Sequence, residues 1–132
     1  MNIPWTIIET YLKGGTPLNL RQTYLILFQT SPGSDVPADA AVALAVAGLL
    51  EQSGMTSSSV ILGIRHLLSI FDQVITEPSE LQVINVMDGR YLTWRNCTGP
   101  LDLETGELVD GYLPTMSVSI VLNRVYQALT QA

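Results

Sequence analysis

Positive charge is scarce in this chain. Six Lys and Arg side chains stand against 12 Asp and Glu, giving a net charge of −6, and Lys13 is the one lysine. The first 75 residues hold three basic and five acidic side chains and the remainder three and seven, so neither half carries a basic block. Phosphate backbones are bound chiefly through such charges, so this balance argues against nucleic acid and against an anionic membrane as partners. Charge of either sign is low as well, at 14% of residues against a usual quarter. With so little strongly hydrated surface, some apolar surface is expected to lie against a protein partner or a second copy of the chain.

Cysteine and histidine occur once each, as Cys97 and His66. No intrachain disulfide can form, and a reducing cytosol is the expected compartment. A Cys₄ or multi-histidine zinc site cannot be built within one chain. Phosphate-loop glycines, a dinucleotide fingerprint and a nucleophile elbow are all missing, so the reading is of a non-catalytic protein without cofactor. The N-terminus lacks the charged and apolar regions of a secretory signal. The longest apolar run, Ala40 to Leu50, is too short to span a bilayer and is bracketed by Asp39 and Glu51, so it reads as a core helix.

What is present is enough for one domain with a substantial core, since 47% of the 132 residues are hydrophobic. Asn2 and Pro4 open a short first helix that ends at Lys13 and the glycines after it. Thr16 and Pro17 form a cap and first-turn pair for a second helix reaching Gln29, with a strand over Tyr24 to Phe28 as the alternative. A third helix starts near Pro37 and stops at Gly54. Thr56 then caps a fourth, whose inward stripe is Val60, Ile61, Ile64, Leu67, Leu68 and Phe71. Asp88-Gly89 marks a two-residue hairpin turn between Leu81–Met87 and Arg90–Asn96. That turn length would set Val86 opposite Tyr91 and Ile84 opposite Thr93, leaving both faces of the ribbon apolar. A second hairpin spans Leu101 to Val109, and a last helix is expected from about Ser117. The fold class is α+β: a helical N-terminal half of about four helices, an antiparallel ribbon and a C-terminal helix. The order helix, corner, helix, hairpin is that of a winged helix, although Leu50 fills a corner position normally given to a small residue.

Two sets of candidate functional residues follow. An apolar two-sided hairpin with a tryptophan between arginines has the composition of a protein–protein contact, naming Trp94, Tyr91, Leu92 and Arg90. In this reading the acidic segment Asp102, Glu104, Glu107 and Asp110 helps select the partner, and the protein is a cytosolic homodimer with a regulatory role. As a DNA-binding winged helix, the alternative, it would use Ser57, Ser58, Ser59, Arg65 and Arg90, with His66 nearby. A small enzyme with a pocket between helices and ribbon is the third reading. The four acids also have the oxygen chemistry for Ca²⁺ or Mg²⁺, but a solvated hairpin tip that protects a sheet edge explains them more simply.

Overall fold

The computed structural model describes all residues except 14, 95–98, 110–115 and 132. Arg95, Cys97 and Asp110 therefore lie outside the described residues. The chain is α+β, with five helices and two antiparallel sheets among those residues.

The most apolar segment takes the centre. In α3 (Ala38–Gln52) every residue from Ala38 to Gly48 except Asp39 is buried, and α1 (Trp5–Tyr11), α2 (Leu20–Phe28), α4 (Ser57–Thr76) and α5 (Leu122–Thr130) all pack on it. Small side chains permit this crowding. A Cβ on Gly48 would stand 2.6 Å from Leu12 Cδ1, so glycine lets the end of α1 sit directly against α3. Thr56 caps α4 as expected, its hydroxyl accepting from Ser59 N at 3.3 Å. Among the described residues α4 is the one helix long and apolar enough to cross a membrane. Its apolar stripe, Val60, Ile64, Leu67, Phe71 and Val74, is nevertheless buried inside the fold, as in a core helix.

The second helix begins later than expected. Asn19, not Thr16, is the cap, and its side chain accepts from Gln22 N at 3.1 Å. Thr16 instead donates to the Glu51 carboxylate and ties the loop to α3. Tyr24 to Phe28 is helical, not a strand. A small ribbon also appears that the sequence reading missed: β1 (Asn2–Pro4) pairs with β2 (Asp35–Pro37), each sending one apolar residue, Ile3 and Val36, inward.

The larger sheet has the order β6-β5-β4-β3-β7, formed by β3 (Val83–Met87), β4 (Tyr91–Trp94), β5 (Leu101–Asp102), β6 (Glu107–Leu108) and β7 (Met116–Val121). Its register corrects the expected one. Asp88 and Gly89 take positive φ, 54° and 64°, as the dipeptide demands, but the ladder resumes with Met87 opposite Tyr91. Three residues thus separate the paired positions. Arg90 has been drawn toward the next hairpin, where its carbonyl accepts from Leu103 N at 2.9 Å and its guanidinium grips Asp102. Because strand side chains alternate, a one-residue shift reassigns every face. Ile84, Val86 and Leu92 all point inward and are fully buried, while Val83, Asn85, Tyr91 and Thr93 lie on the half-exposed outer face. The outer face mixes polar Asn85 and Thr93 with Val83, Tyr91 and the buried Met87, so the ribbon has one apolar face and one mixed face, not two apolar ones.

The last helix is also shorter than expected. Residues 116–121 form β7, which pairs along β3, and α5 begins only at Leu122. The apolar residues expected to form one helical stripe divide at this point, Val118 and Val121 belonging to the strand and Leu122, Val125 and Leu129 to the helix. The winged-helix order is present, but β2 pairs with β1 and not with the ribbon, which is widened to five strands.

Candidate functional site

Two sites on the surface join a hollow to residues singled out by their charge or by their lack of a partner. The first lies at the tip of the ribbon and has a volume of about 510 Å³; Ser58 and Ser59 from the start of α4, and Gly89, Arg90, Leu103 and Glu104 from the ribbon, line it. The fold brings the serine turn and the hairpin tip to this one hollow. Close approach of ribbon and helix depends on Gly63, where a Cβ would stand 2.9 Å from Leu92 Cδ1.

The charges at this tip are already paired. Arg90 donates through Nε to Asp102 Oδ1 at 2.9 Å and through Nη2 to Oδ2 at 2.7 Å, a two-pronged contact, while Nη1 lies 3.2 Å from Glu104. Asp102 Oδ1 also accepts from Glu104 N at 2.9 Å. The Arg90 hydrogen bonds hold the Asp102 carboxyl down at about 2, against the opposing effect of burial. The same contact raises the Arg90 pKa further above its ordinary value. The cation held by Asp102 and Glu104 is therefore a guanidinium of the chain itself. Among the described residues no group of three or more His, Cys, Asp or Glu is placed to hold a metal ion.

Of the remaining hairpin residues, Leu92 has none of its surface exposed and has no side chain to offer a partner. Trp94 is half-buried against the core, and Tyr91 is half-exposed with the Arg90 guanidinium 5.4 Å from its ring centre. On α4, Ser57 and Ser58 are exposed in the first turn and the Ser59 hydroxyl is within 3.0 Å of Thr56. Arg65 and His66 are exposed further along the helix and do not border the tip hollow.

The second site was not legible in the sequence. A groove runs between α1 and α5, floored by the end of α3 and walled at one end by β7. It consists of two adjoining hollows of about 630 and 410 Å³ that share Tyr11, Leu49 and Gln52. Ile7, Val118, Val121, Val125 and Ala128 make most of the rest of its lining apolar. The polar groups nearby are largely satisfied within the chain. Gln52 Nε2 donates to the carbonyls of Leu12 at 2.9 Å and Gly15 at 3.1 Å, and the Ser53 hydroxyl donates to Leu50 O at 2.6 Å.

Three groups in the groove make no such contact: the Lys13 ammonium, the Arg124 guanidinium and the Tyr11 hydroxyl, none of which has a hydrogen bond or ion pair among the described residues. All three are donors at neutral pH, and burial pushes the Tyr11 phenol above its ordinary 10.0, which keeps it protonated. Among the described residues no carboxylate lines either hollow. In comparisons with family models, with characterised proteins and with solved structures, none matches this chain.

Proposed function

We propose that this is a small non-catalytic binding protein with a regulatory role, working in a reducing cytosol through contacts with other proteins, and that the α1–α5 groove is its principal contact surface. The observation that carries this reading is an apolar groove whose unsatisfied groups are all hydrogen-bond donors. Apolar floor with a few unpaired polar groups at its margin is the composition of a protein-recognition surface. Tyr91, on the outer side of the ribbon, is a secondary contact in this reading, while Arg90 is engaged by Asp102 and Glu104. The low charge density favours a homodimer, which sedimentation velocity measures directly.

A photo-activated cross-linking residue placed at Ala128 tests the proposal in cells, with the same residue at His66 as control. The expected result is a discrete protein adduct from position 128 and none from 66. Adducts from 66 alone would overturn it.

Convergence of Ser58, Ser59 and Arg90 on one hollow favours a second reading, a winged-helix DNA regulator that also uses Ser57 and Arg65. Its difficulty is that Arg90 is engaged by two carboxylates, so the hollow offers a phosphate no uncompensated charge. Titration of a mixed-sequence duplex at low salt, followed by fluorescence anisotropy, decides between the two. Salt-sensitive binding would favour the DNA reading.

A further inference from the structure

The charges around the groove specify what it takes. Lys13 and Arg124 are two of only six basic residues in the chain; of the other described ones Arg21 pairs with Glu9 at 3.7 Å and Arg90 with Asp102 and Glu104, while Arg65, exposed on α4 and away from any apolar groove, makes no ion pair among the described residues either. Among the described residues, an ammonium and a guanidinium without an ion pair thus border one apolar groove that no carboxylate lines, on a protein of net charge −6. Exposed cations are well hydrated and need no partner to remain stable. Placed beside an apolar floor, however, they select which partner can cover it: a basic segment would meet like charge, whereas an acidic one would gain two ion pairs as the floor is buried.

We infer that the groove docks an acidic, amphipathic segment of a partner protein, apolar residues on Tyr11, Leu49 and Val125, and carboxylates toward Lys13, Arg124 and the Tyr11 hydroxyl. This rests on the binding-protein reading above and adds the chemistry of the partner. Segment length follows from the helix that lines the groove: Leu122 to Ala128 of α5 rises by roughly 9 Å, so about two turns of a docked helix fill it. Nucleic acid is a poor occupant, because two separated cations over an apolar floor match neither the spacing nor the number of phosphates along a strand.

Three labelled synthetic peptides test the inference by fluorescence anisotropy. They share the same leucine spacing and carry Glu, Gln or Lys on the polar face. The expected order of affinity is Glu, then Gln, then Lys, with at least a tenfold span at low salt that narrows as salt is raised. In the variant Lys13→Glu with Arg124→Glu the order reverses. Both positions are exposed, so the variant is expected to fold, and its circular dichroism and melting curve confirm that. Equal affinities, a preference for the Lys peptide in the unaltered protein, or no binding of any peptide would overturn the inference. So would an adduct at Ala128 that proves to be a second copy of the chain. Failure of the peptides with a foreign protein still cross-linked at Ala128 would remove the acidic segment while leaving the binding-protein reading in place.

Discussion

The hollow at the ribbon tip and the groove between α1 and α5 both contain basic side chains, yet they differ in what those side chains face. At the tip, Arg90 is held by Asp102 and Glu104, and its charge contributes to folding by fastening one hairpin to the next. In the groove, Lys13 and Arg124 pair with no carboxylate among the described residues. A charge satisfied inside the chain acts as a structural fastener. One left over beside an apolar surface is available to a partner. If the proposed function holds, the first region serves stability and the second recognition, and substitutions in each should separate along that line.

The largest effect is expected at Leu92. This residue is fully buried beneath the ribbon, so Leu92→Ala should lower the stability by about 2–5 kcal/mol in urea unfolding. A loss below about 1 kcal/mol would mean that Leu92 is not a core residue. Next comes Gly48→Ala, whose new methyl group would overlap the end of Leu12 and should cost about 1–3 kcal/mol, with the junction of α1 and α3 loosened first.

The Asp102 carboxyl provides a pH test of the tip. Its folded pKa lies at about 2, below the ordinary 3.8, so its contribution is complete above pH 4 and is lost as the pH falls toward 2. Asp102→Asn should flatten the acid limb of the stability profile by roughly 1 kcal/mol, discounted for the half-exposed guanidinium opposite it. Thr56→Ala removes the cap of α4 and should cost somewhat under about 1 kcal/mol, because the capping bond is long. At Arg124 the expectation inverts. Arg124→Ala should leave stability within about 0.5 kcal/mol of the parent while weakening the acidic peptide several-fold.

How much of this was legible in the sequence depended on how local the cause was. Helices α3 and α4 are written in local terms, in the alanine-rich run and in Thr56 before three serines, and both formed where expected. The ribbon was legible as an element but not in its register. Asp88-Gly89 announces a turn, but the residue that lengthens the loop is Arg90, and its partner Asp102 lies 12 positions further on. The run from Val118 to Leu129 fits a helical stripe throughout, and no capping residue marks the change from β7 to α5. Val121 caps α5 without any side-chain hydrogen bond. Pairing with β3 decides it, through β-branched residues that suit a strand as well as a helix.

The groove could not be read at all, since Tyr11, Leu49, Val118 and Arg124 meet only after folding. One hint was present: Arg124 has no acidic residue within a helical turn to pair with. Lys13 gave the opposite signal, because Glu9 stands four residues before it, whereas the structure turns Glu9 to Arg21 at 3.7 Å. The hairpin contact set, by contrast, rested on the expected two-sided register, and Leu92 leaves it once that register shifts.

The most direct test of the account is a two-dimensional ¹⁵N NMR titration of the protein with the Glu peptide. The account predicts shifts confined to the groove, at Ile7, Tyr11, Lys13, Leu49, Arg124 and Ala128, with Ser58, Gly89 and Arg90 unmoved. Shifts concentrated at Ser58, Gly89 and Arg90 would contradict it and return recognition to the ribbon tip.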